Sequence, residues 1–170
     1  EALAAFEAQV PTSLQRPDLQ IDFCSAKNGG KILDSYYEMV LADAFVLEAG
    51  LSAEIEGYDA VCINSMSDSG LSALRSRLNI PVVGPGQACF LTAAMLGHRF
   101  SVVTMWDRWK PLYRKVALEL EMQSRLASIE SIDTRPDAEE LLAGKEEVVF
   151  AKLESAARRA IDQHGADVII

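Results

Sequence analysis

Positive charge, long apolar runs and metal-ligand spacing are what this 170-residue sequence has least of. Lys and Arg number 16 against 25 Asp and Glu, a net charge of −9 with a pI of about 4.7. That balance leaves no basis for a broad basic face, so binding to nucleic acid or to an anionic membrane surface is not expected. No apolar run approaches the roughly 18 residues of a transmembrane helix. No basic segment followed by an apolar stretch reads as a signal peptide. The three cysteines are an odd number, and neither they nor the two histidines show ligand-like spacing. Neither a disulfide framework nor a zinc site is indicated. A cytoplasmic, reduced protein is the expectation.

What is present suits a layered globular chain: 49% of residues are apolar and 24% charged, enough to build a core. Leu3, Phe6 and Val10 recur at helical spacing until Pro11. Leu19 to Cys24 alternates apolar and polar residues at period two and predicts a strand, followed by a Lys27–Gly30 loop. Ile32 to Ile55 is helical in pattern, with a break at Gly50. Ala60 to Ile63 is a short continuous apolar strand of the kind buried on both faces of a parallel sheet. Ser67–Gly70 opens a helix reaching about Arg77, with Asp68 or Ser67 as its N-cap.

Pro81–Gly84 predicts the next strand, and Pro85 to Leu96 a helix stopped by Gly97. Phe100–Thr104 and Leu126–Ile132 read as strands, separated by an amphipathic helix from about Asp107 to Met122. Helical patterns follow at about Pro136 to Leu142 and Glu146 to His164, and Ala166 to Ile170 closes as a strand. The alternation of strand and helix predicts α/β layers around parallel sheets, with a coarse duplication about Gly97.

In open parallel sheets, ligands sit beyond the carboxyl ends of the strands. Those positions are Ser25–Gly30, Asn64–Asp68, Gly84–Gln87 and Thr104–Trp106. Asn64 to Gly70 is the richest, placing an amide, hydroxyls and a carboxylate where a helix also begins. It reads either as a site for a small anion such as a carboxylate or as a plain capping loop. Gly84-Pro85-Gly86-Gln87 is neither GxGxxG nor a Walker loop, so nucleotide binding has no motif behind it. Cys62 and Cys89 fall inside a predicted buried strand and a helix, and Cys24 ends a strand; all three read as core. His98 and His164 read as helix-terminal residues. Trp109 reads as packing against its helix, and Trp106 as a cover for a pocket mouth.

The stretch from Tyr58-Asp59-Ala60-Val61 through Asp68-Ser69-Gly70-Leu71, with Pro81–Gly84 and Arg99–Thr104, resembles the aspartate/glutamate/hydantoin racemase superfamily. The hydantoin and allantoin racemase branch is nearest, and Arg125–Ile129 and Gly165–Asp167 fit it as well. The resemblance implies two similar Rossmann/flavodoxin-like domains, residues 1–97 and 98–170, with a pocket between them. The family's first strand would precede Glu1 and its second catalytic position would follow Ile170, so the chain is expected to be short at both ends. It also implies a homo-oligomer acting on a small carboxylate or ureide, without pyridoxal phosphate, metal or other cofactor.

Two cysteines do the family's chemistry, one removing a proton beside a carbonyl and the other returning it on the opposite face. Ser65 stands at the first cysteine position; Asn64, Met66, Ser67 and Thr104 are the implied substrate-binding residues, and Asp68 the helix cap. A serine hydroxyl is far less acidic than a thiol. Three outcomes are compatible with it: a racemase with a different base, a one-thiol enzyme resembling the arylmalonate decarboxylases, or a non-catalytic binder of a carboxylate or ureide.

Overall fold

The computed structural model describes residues 2–28, 33–135 and 146–170. Parallel strands need helical crossovers, and the chain supplies them in two groups. In the first, α1 (Ala2–Glu7) and α2 (Tyr36–Gly50) precede β1 (Val61–Cys62), α3 (Leu71–Arg75) and β2 (Val82–Val83). β1 and β2 pair in parallel, Val61 opposite Val82 and Cys62 opposite Val83. After α4 (Pro85–Leu96) come β3 (Phe100–Thr104), α5 (Lys110–Glu119), β4 (Leu126–Ser131), α6 (Glu146–His164) and β5 (Val168–Ile169). These strands form a second parallel sheet in the order β4-β3-β5, with a register shift between Phe100 and Ser101. Among the described residues no helix is long and apolar enough to cross a membrane.

Each sheet has its own apolar cluster. Ile63, Leu71, Leu74 and Val82 bury beside β1 and β2, with Val46 and Leu47 of α2 packed on them. Phe90, Ala93, Phe100, Val102, Tyr113, Val116 and Ala117 form the larger cluster beside β3. Helix starts follow local chemistry. Ser35 Oγ accepts from the Glu38 N–H at 3.3 Å and caps α2, while Glu38 Oε2 accepts from the Asp34 N–H. Pro85 sits in the first turn of α4, where its missing N–H costs nothing.

Several expectations are corrected. Leu19–Cys24 forms no strand; Gln20 bonds the Asp22 carboxylate and Ile21 is exposed. Alternation prepares a segment for a sheet, but without a neighbour to pair its backbone it stays irregular. The helix expected from Ile32 to Ile55 is confined to α2, and the one after Ser67 to the five residues of α3. The Asp107–Met122 helix begins as a 3-10 turn over Asp107–Trp109. Cys62 and Cys24 are exposed and Cys89 is half-buried, so none is a fully buried core residue. Among the described residues one face of the β1–β2 sheet is packed; Cys62 and Val83 lie on the other. The helix expected at 136–142 lies outside the described residues.

Candidate active site

The loop after β1 is shaped by a tight turn. Pairing ends at Ile63, whose N–H donates to the Val83 carbonyl, and Asn64 leaves the sheet. The Asp68 N–H then donates to the Ser65 carbonyl at 2.9 Å, with Asp68 in the left-handed region at φ 53°. Asp tolerates that conformation better than most residues. The turn puts the side chains of Ser65, Ser67 and Ser69 together. Ser67 Oγ lies 2.7 Å from Ser65 Oγ and 2.8 Å from Ser69 Oγ, and Ser65 and Ser69 are 3.5 Å apart. Ser67 and Ser69 are buried, Ser65 is half-buried, and Asn64 and Met66 are exposed. Ser65 is therefore the open end of a buried hydroxyl chain.

Asp68 departs from its expected role. The cap of α3 is Gly70, which has no side chain to bond the first turn. The Asp68 carboxylate instead crosses to α4, where Oδ1 accepts from the Gly86 N–H at 2.8 Å and Oδ2 from the Gln87 N–H at 2.7 Å. It is 2% exposed. Burial pushes its carboxyl up from the ordinary value, while the Gln87 and Gly86 N–H groups and the Lys115 charge pull it back. Gly84 and Gly86 make the approach possible. A Cβ at Gly84 would lie 2.5 Å from Asp68 Oδ1, and one at Gly86 2.5 Å from the Met66 carbonyl and 2.9 Å from Asp68 Oδ2. The Gly-Pro-Gly-Gln sequence is thus a cradle for an internal carboxylate. The Gly70 N–H is occupied as well, donating to Asp43 Oδ1 at 2.8 Å.

Helix α5 connects this loop to the other sheet. Lys115 Nζ donates to the Ser67 carbonyl at 3.3 Å and lies 3.5 Å from Glu119 Oε1. Two residues earlier, the Tyr113 hydroxyl meets Thr104 Oγ1 at 3.1 Å, at the carboxyl end of β3. Burial raises the Tyr113 hydroxyl pKa, and the Thr104 bond offsets part of that. Thr104 is buried, and among the described residues no hydrogen bond joins it to the serine loop. The structure therefore brings Ser65 and Ser67 together, leaves Asn64 and Met66 flanking them on the surface, and places Thr104 one helix away.

Beyond β3, Trp106 lies under two guanidinium groups, Arg108 at 5.5 Å and Arg135 at 5.7 Å from its ring centre. Trp109 packs edge-on to it at 6.5 Å and joins the β3 cluster. Arg108 also pairs with Asp34 at 3.2 Å, beside the start of α2. An apolar groove of about 770 Å³ opens elsewhere, between α6 and the β3–β5 edge, lined by Val103, Phe150, Leu153, Ala157, Ile169 and Ile170. No residue of the serine loop lines it. Among the described residues no three His, Cys, Asp or Glu side chains converge as metal ligands.

Ser69 and Lys115 were not singled out by sequence reasoning. Ser69 continues the alternate-residue serines of 65 and 67, a signal that is visible in the sequence. Nothing local marks Lys115, which reaches the loop from 48 residues away.

A family model described as Asp/Glu/Hydantoin racemase matches residues 1–170. The chain is 34% identical over 163 residues to a hydantoin racemase of Pseudomonas sp. (strain NS671), covering 93% of this chain and 62% of that protein. A hydantoin racemase of Paenarthrobacter aurescens is 25% identical over 151 residues, covering 88% of this chain and 63% of its own length. The chain thus spans less than two thirds of these curated relatives. Among solved structures, allantoin racemase from Klebsiella pneumoniae superposes with a TM-score of 0.81 at 24% identity, over 93% of this chain and 63% of that one. Allantoin racemase from Pseudomonas fluorescens gives 0.78 at 26% identity, over 98% and 71%.

Proposed function

Because the chain belongs to the Asp/Glu/hydantoin racemase family, we propose that it is a racemase acting on the carbon next to a carbonyl of a small ureide, with hydantoins and allantoin as the substrate class. The observation that carries this reading is the Ser65–Ser67–Ser69 hydroxyl chain, open at Ser65, where the family places its first proton-transfer group. Three hydroxyls joined by two short bonds leave one proton to point out of either end, so Ser65 can donate or accept. A ureide ring offers both a carbonyl acceptor and N–H donors, and the exposed Asn64 amide adds the same pair of functions. The hydantoin and allantoin racemases among its relatives support the ureide choice over the decarboxylase and binder readings.

In the reaction, the α-C–H bond breaks, its electron pair moves toward the carbonyl, and a proton returns on the opposite face. A neutral serine is too weak a base to take that proton by itself. Ser65 and Ser67 then hold the ring, while Thr104, buried against Tyr113 at the end of β3, lies one helix away. In this reading residues 1–97 and 98–170 are two domains flanking the site, in keeping with their separate sheets and clusters. The protein works in the cytoplasm as a homo-oligomer, without pyridoxal phosphate.

The test is α-proton exchange in D₂O, followed by NMR on a panel of 5-substituted hydantoins, allantoin, aspartate and glutamate. Deuterium incorporation into a ureide, reduced about tenfold or more by Ser65→Ala, is the expected result. No incorporation into any member of the panel overturns the reading.

A further inference from the structure

Removing a proton beside a carbonyl leaves negative charge on the carbonyl oxygen, and that charge needs a pre-set donor or cation. Helix N-termini often supply one. Here they do not. The first free N–H groups of α4, at Gly86 and Gln87, are both held by the buried Asp68 carboxylate. The Gly70 N–H that begins α3 is held by Asp43. Asp68 also brings its own negative charge to the back of the loop, so an anionic ligand at Ser65 would be favoured by a positive charge of the chain's own.

Lys115 brings a positive charge to this loop. Its ammonium rests on the Ser67 carbonyl at 3.3 Å, and Ser67 Oγ is 2.7 Å from Ser65 Oγ. Both of its contacts are long, the second being Glu119 at 3.5 Å, and an ammonium carries three donors. Its side chain is 29% exposed, so a ligand can reach it, and a four-carbon stem lets the group shift onto a ligand oxygen. It comes from α5, which also carries the Tyr113 partner of Thr104.

Resting on the racemase reading, we infer that Lys115 is the oxyanion-binding residue of this site, pairing its ammonium with the enolate oxygen of a ureide ring. No covalent step is involved. As the α-C–H electron pair shifts onto the carbonyl oxygen, Lys115 donates a charge-assisted hydrogen bond to that oxygen and is itself unchanged.

The probe is unsubstituted barbiturate, a planar six-membered cyclic ureide that is already an enolate-like anion at neutral pH, compared with hydantoin, a neutral five-membered cyclic ureide. Calorimetry on the wild-type protein is expected to show tighter binding of barbiturate. Lys115→Met should weaken barbiturate about tenfold or more while changing hydantoin by less than about threefold. Lys115→Arg, which keeps the charge, should retain most of the preference, and Lys115→Gln provides the neutral comparison if the Met variant does not fold. Kinetically, Lys115→Met should lower kcat for α-proton exchange about a hundredfold with KM little changed. Equal binding of barbiturate by wild type and the neutral variants overturns the inference, as does a wild type without preference for the anion. Exchange that proceeds with Lys115 indifferent to barbiturate leaves the racemase reading intact and removes Lys115 from it. Lys115-dependent barbiturate binding without exchange on any ureide does the reverse.

Discussion

The carboxyl ends of β1 and β3 are held in place by opposite means. After β1, three consecutive polar residues, Ser67, Asp68 and Ser69, are each 4% exposed or less, and hydrogen bonds to hydroxyls and backbone N–H groups position them. Leading into Thr104, Phe100 and Val102 are buried among aromatic and aliphatic side chains, and Phe90 meets Phe100 edge-on at 5.0 Å. Among the described residues one hydroxyl bond, Thr104 to Tyr113, orients the strand's last side chain. Apolar packing is strong but non-directional, whereas a buried hydrogen bond fixes direction and is costly to leave unmade. The β3 side is thus built to be stable and the β1 side to be specific.

The largest test of that contrast is Phe100→Ala. Deleting a fully buried ring beside Phe90 is expected to cost about 3–5 kcal/mol in chemical denaturation. The activity of the molecules that remain folded should be largely kept. A loss under about 1 kcal/mol would show that the β3 cluster does not carry the fold.

Asp68→Ala comes next. It leaves the buried Gly86 N–H and the half-buried Gln87 N–H without partners and puts an alanine at φ 53°, for an expected loss of about 2–4 kcal/mol. Here activity should fall further than stability explains, because the turn that aligns the serines loses its anchor. Asp68→Asn keeps one acceptor and the left-handed preference, and should recover part of both. If the alanine variant racemises ureides at the wild-type rate, the β1 loop is not held as described.

The smallest effect is electrostatic and lies away from both strand ends. The backbone N–H groups of Arg99 and His98 donate to exposed Asp167 at 3.0 and 2.9 Å and hold its carboxyl below the ordinary value. A pKa lowered by folding contributes stability above the unfolded-state pKa and loses it as the pH falls through the folded one. Asp167→Asn should therefore differ most from wild type at neutral pH and converge with it in acid, measured as melting temperature against pH. A difference that grows on acidification would contradict the assignment.

Much of the architecture was legible from local pattern. Pro85 and Gly97 bracket α4 as expected, Phe100–Thr104 is a strand as predicted, and Leu126–Ser131 falls one residue short of its predicted range. Those features depend on neighbours within a turn or two. Leu19–Cys24 failed because a strand exists only with a partner, which no period-two pattern contains. Cys62 was misread because a two-stranded sheet covered on one side leaves its other face open. At the site, the serine run was visible, but which helix Asp68 caps was not. A carboxylate can satisfy any N–H that folding brings near, and here those lie 18 and 19 residues ahead.

By itself the sequence determined most of the alternation of strand and helix, and the family. These follow from residue type and order, which no folding step alters. Only the tertiary structure decided that Asp68 occupies the α4 terminus, that Gly84 and Gly86 exist to admit it, and that Lys115 reaches the serine loop from α5. The physical reason is range. Propensity and periodicity act over a few residues, whereas the partner of a buried charge or donor is chosen by whatever the packed core brings within 3 Å.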